Sequence, residues 1–210
     1  DYLYQYDVYR QKNADFQVAK NEYLKFKSLA SQTAALVATK TLLAQRDPLL
    51  RAYLLMLNEQ LIEDRGLSQT EKGLYQTLIQ SEVTFLDQHS QLIPDIGSLI
   101  DATNVSGRLE SHYNLLQTSL RQILVGIALG NMSVLSGQFD ETLARVQKII
   151  AANSTVFSSE KQGTINRWVL QIQNKRTLYQ QKVDMIAQSN AQAKVANVTE
   201  LDRRFTEAVK

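Results

Sequence analysis

Residues 109–127 read LESHYNLLQTSLRQILVGI. Leu109, Tyr113, Leu116, Leu120, Ile123 and Ile127 recur at spacings of four and three. With 3.6 residues per turn, that spacing lines them along one side of a helix and leaves the other side polar. A half-buried strand needs alternation by two, which is sustained neither here nor elsewhere in the chain. The stretch therefore predicts an amphipathic α-helix that ends at Gly130 and Asn131, and an all-α fold.

The same periodicity extends in both directions. Toward the C-terminus a helix from about Ser133 presents Leu135, Phe139, Leu143, Val146 and Ile150, and residues 153–159 read as a turn. A last helix follows from about Ser159, with Ile165, Ile172, Tyr179, Ile186 and Ala193 seven apart. Near Asn197 the register changes to Val198, Leu201 and Phe205, which predicts a kink or break.

Toward the N-terminus, residues 95–107 read as a connector, and Pro94 stops a helix carrying Leu74, Leu78, Phe85 and Leu92. Ser68 with Glu71 three residues on is a capping box for that helix, and Gly66 is suited to a left-handed turn closing the helix before it. That earlier helix, with Leu50, Leu54, Leu57 and Leu61, is expected to restart the chain at Asp47 and Pro48. From Tyr2 to about Arg46 there is neither Gly nor Pro, and Tyr2, Tyr9, Phe16, Tyr23, Ala30, Val37 and Ala44 lie seven apart. This predicts one helix of about 66 Å at 1.5 Å per residue.

The expected architecture is an elongated antiparallel bundle of about six helices in one domain over residues 1–210. Long first and last helices, 2–46 and 159–208, pair in coiled-coil fashion, and the shorter helices of 47–153 form a sub-bundle packed on them. Two prolines and eight glycines are too few for a chain that turns often.

Composition narrows the function classes. Twenty-three Lys and Arg against 21 Asp and Glu give a net charge of +2 with the signs mixed, which does not point to nucleic acid. No cysteine is present, which removes disulfides, thiolate metal sites and a thiol nucleophile. The most apolar stretch, 123–135, is broken by Gly126, Gly130 and Asn131 and is too short for a bilayer core of about 30 Å.

No catalytic, cofactor or metal residue is assigned. His89 and His112 stand on different helices without a His-x-x-x-His or Glu-x-x-His pair, and so read as solvated or core-edge residues; truncation of His112 is expected to cost little. Glu59, Glu63 and Asp64 read as a solvated face, and no phosphate-cradling glycine loop or nucleophile elbow occurs. Gly126 and Gly130 are spaced for a tight helix crossing or a frayed helix end. Four Asn-x-Ser/Thr triplets, at Asn104, Asn131, Asn153 and Asn197, read as capping chemistry at helix ends.

Two surfaces are candidates for partner binding. Lys161, Arg167, Lys175, Arg176 and Lys182 run along the last helix with no acidic residue between them. Tyr2, Tyr4 and Tyr6, with Tyr9 beyond, crowd the first turns, where tyrosine suits either a seam against the last helix or a boundary between apolar and wet surroundings close to a membrane. These features favour a non-enzymatic structural, spacer or protein-interaction domain outside the cytoplasm, with the end carrying both termini near a membrane. The alternative is the ligand-sensing domain of a membrane receptor. The helix layout resembles bacterial extracytoplasmic helical sensor domains, a resemblance of pattern that carries no motif and implies no binding residue.

Overall fold

The computed structural model describes residues 1–193, Arg203 and Thr206. The chain is all-helical, 89% of it in helix, with no strand among the described residues. Among the described residues there are five α-helices: α1 Tyr2–Phe26, α2 Leu29–Glu63, α3 Gln69–Ser90, α4 Leu99–Ala152 and α5 Ser159–Ala191, with a 3-10 turn at Ser154–Val156. The count is five and not six because one expected helix splits and two expected pairs merge. The expected break near Asn197 lies outside the described residues. Two compact units result, one of Asp1–Glu63 with Lys72–Ile123 and one of Asp64–Glu71 with Leu124–Lys210.

In the first unit the expected helix over 2–46 breaks at Lys27. Lys27 takes a left-handed backbone, φ 48°, and its N–H donates to the Tyr23 carbonyl. Ser28 and Ser31 then cap each other's amides: Ser28 N–H donates to Ser31 Oγ at 3.0 Å and Ser31 N–H to Ser28 Oγ at 3.2 Å. A corner assembled from serine hydroxyls leaves no Gly or Pro in the sequence to announce it. Past the corner α2 returns antiparallel to α1, which places Tyr53 on Tyr2, 5.2 Å between ring centroids, and Gln45 on Gln5.

The restart expected at Pro48 does not occur, and α2 runs through it. An internal proline costs a helix about 3 kcal/mol. Here the buried face of Leu43, Leu54, Leu57 and Leu61 continues across it, and Asp47 is turned into the interior instead of capping.

The third helix differs from expectation in phase, whereas the fourth keeps the expected face at Leu109, Leu116 and Ile123 and departs from it at Tyr113. The expected faces included Leu74 and Tyr113, which are 62% and 53% exposed. The residues that face inward are Lys72, Ile79, Glu82, Leu86 and His89 on α3, and Ala102, Leu109, Leu116, Ser119 and Ile123 on α4. Polar residues thus occupy positions of helical spacing that a hydrophobicity pattern assigns to the neighbouring stripe. The connector expected over 95–107 is mostly helix: Ser98 and Asp101 cap the start of α4 through Ser98 Oγ to Asp101 Oδ2 at 2.8 Å and Asp101 N–H to Ser98 Oγ at 3.1 Å.

In the second unit, Asp64 Oδ1 accepts the N–H groups of Gly66 and Leu67 at 2.7 and 2.9 Å. This Asx turn needs no positive φ, and Gly66 has none. Gly66 is needed for a different reason: a Cβ there would run into the Gly130 carbonyl, and one at Gly130 would run into the Asp64 carboxylate. The tight crossing expected of Gly130 is present, and it lies within α4, which continues past Gly130 and Asn131 without ending. The capping box at Ser68 forms, with Ser68 N–H donating to Glu71 Oε2 at 2.8 Å and Glu71 N–H to Ser68 Oγ at 3.3 Å. The turn after α4 also stands where expected, and Ser158 Oγ caps α5 by accepting from Lys161 N–H.

Beyond this crossing, the stretch of α4 after residue 130 and almost all of α5 contain no buried residue, the described exception being Asn190.

Candidate functional site

The first unit contains a line of buried polar side chains from three helices. Asp47 on α2 and His89 on α3 are each 2% exposed, with His89 Nδ1 2.6 Å from Asp47 Oδ2 and His89 Nε2 2.8 Å from the Val105 carbonyl. A carbonyl only accepts, so Nε2 carries a hydrogen and donates to it, while Nδ1 is hydrogen-bonded with the Asp47 carboxyl group. Both ring nitrogens are therefore engaged, and neither is left for a substrate. Phe85 lies between the two histidines, 3.6 Å from the His112 ring at an interplanar angle of 10° and 6.0 Å from the His89 ring at 24°. Glu82, 2% exposed, closes the far end, its Oε2 2.7 Å from His112 Nε2 and its Oε1 accepting from Ser119 Oγ at 2.7 Å.

This corrects the reading of His89 as a solvated or core-edge residue, whereas His112, its side chain 19% exposed, does stand at the edge of the core. Each is paired with a carboxylate fully inside the unit, and one phenylalanine joins them. Charges buried in this way are tolerated when each finds a partner, and cost several kcal/mol when one is removed. Heptad-spaced His112 and Ser119, read together with Glu82 and His89 seven apart on α3, are the signal in the sequence that marks these helix faces.

Arg46 adds a less complete element. It donates from Nη1 to Ser106 Oγ at 3.3 Å, while its Nε stands 3.7 Å from Asp47 Oδ1. Burial pulls the guanidinium below its usual range, against the pull of Asp47 in the other direction. Arg46 Nε and Nη2 and Asp47 Oδ1 have no hydrogen-bond partner. Asp47 also lines an open cleft of about 810 Å³ between the start of α1, the middle of α2 and the end of α3.

The second unit carries a different feature, a groove of about 850 Å³ between α4 and α5. Leu135 and Phe139 on α4 and Trp168, Ile172 and Tyr179 on α5 line it, with Lys175 and Arg176 also contributing. Leu135 and Trp168 are 63% and 61% exposed. Of the candidate basic residues, Lys175 and Arg176 reach this groove and Lys161, Arg167 and Lys182 do not line it. Arg176 is committed locally: Nε and Nη2 donate to the two oxygens of Asp140, each at 2.8 Å, and the guanidinium lies over Tyr179. Those bonds hold Asp140 below the usual carboxylate range and raise Arg176.

At the start of α1, Tyr2 and Tyr9 are half-buried and Tyr4 and Tyr6 are exposed. Tyr2 packs on Tyr53 of α2. Asn104 and Asn131 lie inside α4 and cap nothing, whereas Asn153 donates from Nδ2 to the Ile149 carbonyl at the end of that helix; Asn197 lies outside the described residues. No group of three His, Asp or Glu arranged to hold a metal is found among the described residues. By length and composition α4 is the one described helix apolar enough to cross a membrane, a test that interior helices also pass, and its Ile123 is fully buried in the first unit. No protein-family model, curated protein or solved structure matches the chain.

Proposed function

We propose that this chain is a non-enzymatic helical interaction domain that docks a protein partner through the groove between α4 and α5. The observation that carries the reading is the exposure of Leu135, Phe139, Trp168 and Ile172 on one groove. Isolated exposed apolar residues are ordinary, but a contiguous patch with aromatic anchors is what partner-binding surfaces offer. The occupant is an amphipathic helix with acidic flanks. An apolar floor between two helices accepts the apolar face of a third, and the surface of α5 between Lys161 and Lys182 bears only positive charge. With Arg176 neutralised by Asp140, Lys175 is the cation at the groove that remains to select for acidity.

Antiparallel packing of the helices as a coiled-coil-like bundle belongs to the same proposal, as does placement outside the cytoplasm. Exposed Tyr4 and Tyr6 support the latter, because tyrosine suits the border of an apolar phase. A ligand-sensing role is the second reading, and the cleft beside Asp47 favours it.

Trp168 is the sole tryptophan, so its emission reports this groove alone. Titration with a synthetic helical peptide bearing Leu at i, i+3, i+4 and i+7 and Glu elsewhere is expected to shift that emission to the blue and saturate. A Lys version of the same peptide is expected to bind at least tenfold more weakly, and Lys175→Glu to reverse the preference. Equal response to both peptides, or none, rejects the proposal.

A further inference from the structure

We infer that the corner joining α1 to α2 is a membrane tip, which enters the surface of an anionic lipid bilayer through Leu24, Phe26 and Leu29. These three are 57%, 62% and 80% exposed. They stand close together, at the last turn of α1 and the first residue of α2. Near the corner the buried residues of α2 are Ser31 and Ala35, so helix contact there takes small side chains and leaves the larger ones outside. Single exposed apolar residues are ordinary, but a group of bulky ones marks a surface that something covers.

Charge and shape identify the occupant. Lys20, Lys25 and Lys27 are exposed around the three apolar side chains, and Lys25 Nζ stands 5.1 Å from the centre of the Phe26 ring. Glu22 is the one acidic residue between Lys20 and Arg46. An apolar end with a collar of flexible ammonium groups matches a bilayer of anionic lipids, where the apolar side chains reach the acyl boundary and the lysines keep their charges among the phosphates. The chain reverses at Lys27 and Ser28, so the surface is convex and suits a soft interface, whereas holding a peptide helix needs a groove. The corner also lies beyond the core of its unit. Leu36 packs against the core residues Leu43, Ile93 and Ile96, and at 1.5 Å per residue Leu29 stands about 10 Å further along α2. Interfacial apolar groups sink to a comparable depth, roughly 5–10 Å. The tip shares no residue with the groove between α4 and α5.

Sedimentation of the whole chain with large unilamellar vesicles tests this, one set of phosphatidylcholine alone and one of phosphatidylcholine and phosphatidylglycerol in equal parts. Binding to the anionic set is expected to be at least tenfold tighter than to the neutral set, and to weaken as salt is added. Phe26→Ser with Leu29→Ser is expected to weaken it tenfold or more, as is Lys20→Glu with Lys25→Glu. All four positions are exposed, so circular dichroism spectra and melting curves are expected to match wild type. Because the chain has no cysteine, Gln32→Cys can carry a single nitrobenzoxadiazole label one turn from Leu29. Its emission is expected to brighten and shift to the blue on anionic vesicles, while the same label at Leu74→Cys, an exposed position on α3, stays unchanged. Should either double variant melt early, the other and the two labels decide the matter. Equal binding to both vesicle sets, no binding to the anionic set, binding that survives Phe26→Ser with Leu29→Ser, or an unshifted label at Gln32→Cys overturns the inference.

Discussion

The two units use the same helix chemistry in opposite ways. In the first, ionisable and hydroxyl side chains occupy interior positions of three helices, where His89 pairs with Asp47, and His112 and Ser119 pair with Glu82. In the second, Leu135, Phe139, Trp168 and Ile172 stand open to solvent on α5 and on the stretch of α4 after residue 130, where almost nothing is buried. Polar residues inside must be matched one by one, since each unmatched partner costs more than an apolar replacement would. Apolar residues outside need no individual partner and remain available for whatever covers them. The first arrangement fixes one structure, and the second leaves a surface to be completed.

Breaking the match in the first unit gives the largest expected effect. His89→Ala strands the Asp47 carboxylate in the interior and is expected to cost about 3–5 kcal/mol in chemical denaturation. His112→Ala, whose ring is partly exposed and which leaves Glu82 still bonded to Ser119, is expected to cost about 1.5–3 kcal/mol. If both cost less than about 0.5 kcal/mol, the pairs do not organise this interior.

The same contrast should hold for leucines. Leu116 is 2% exposed in the first unit, and Leu116→Ala is expected to lose about 2–5 kcal/mol. Leu135→Ala in the second is expected to stay within about 0.5 kcal/mol of wild type unless a partner is bound. Equal losses at the two positions would mean that the groove is already covered.

The smallest effect concerns the link between α4 and α5. Arg176 holds Asp140 below its ordinary range, so the link contributes at neutral pH and disappears as acid takes Asp140 through its lowered value. Because the pair is exposed, the contribution is small and screened by salt. Trp168 emission followed from neutral pH downward is expected to change in this acidic window in wild type and to lose that step in Asp140→Asn.

What was legible in the sequence divides along the same line. The helical class, the capping box at Ser68, the turn after α4 and the close approach of Gly130 depend on local spacing or on residues with one conformational use, and they could be read directly. The stripe of Leu109, Leu116 and Ile123 on α4 was legible too; the phase of α3 was not, because a hydrophobicity stripe passes over Glu82 and His89 and settles on Leu74 beside them. Asp47 followed by Pro48 resembled a cap because that pairing usually is one; its tertiary partner His89 lies 42 residues further on. The corner at Lys27 was hidden because two serines did what glycine usually does. Of the candidate partner residues, the alignment along α5 was legible, but the commitment of Arg176 to Asp140 required knowing what lay opposite.

That corner has a consequence for how α1 tolerates change. The reversal at Lys27 and Ser28 is too short to take up slack, so every position of α1 is counted from it. Tyr2 meets Tyr53 and Gln5 meets Gln45 about six turns away. One residue added in the middle of α1 would turn those side chains by about 100° and move them about 1.5 Å along the axis, away from their partners. The length of α1 is thus held as tightly as its composition: its exposed residues can be replaced singly, whereas an insertion or deletion would be felt at the opposite end of the helix.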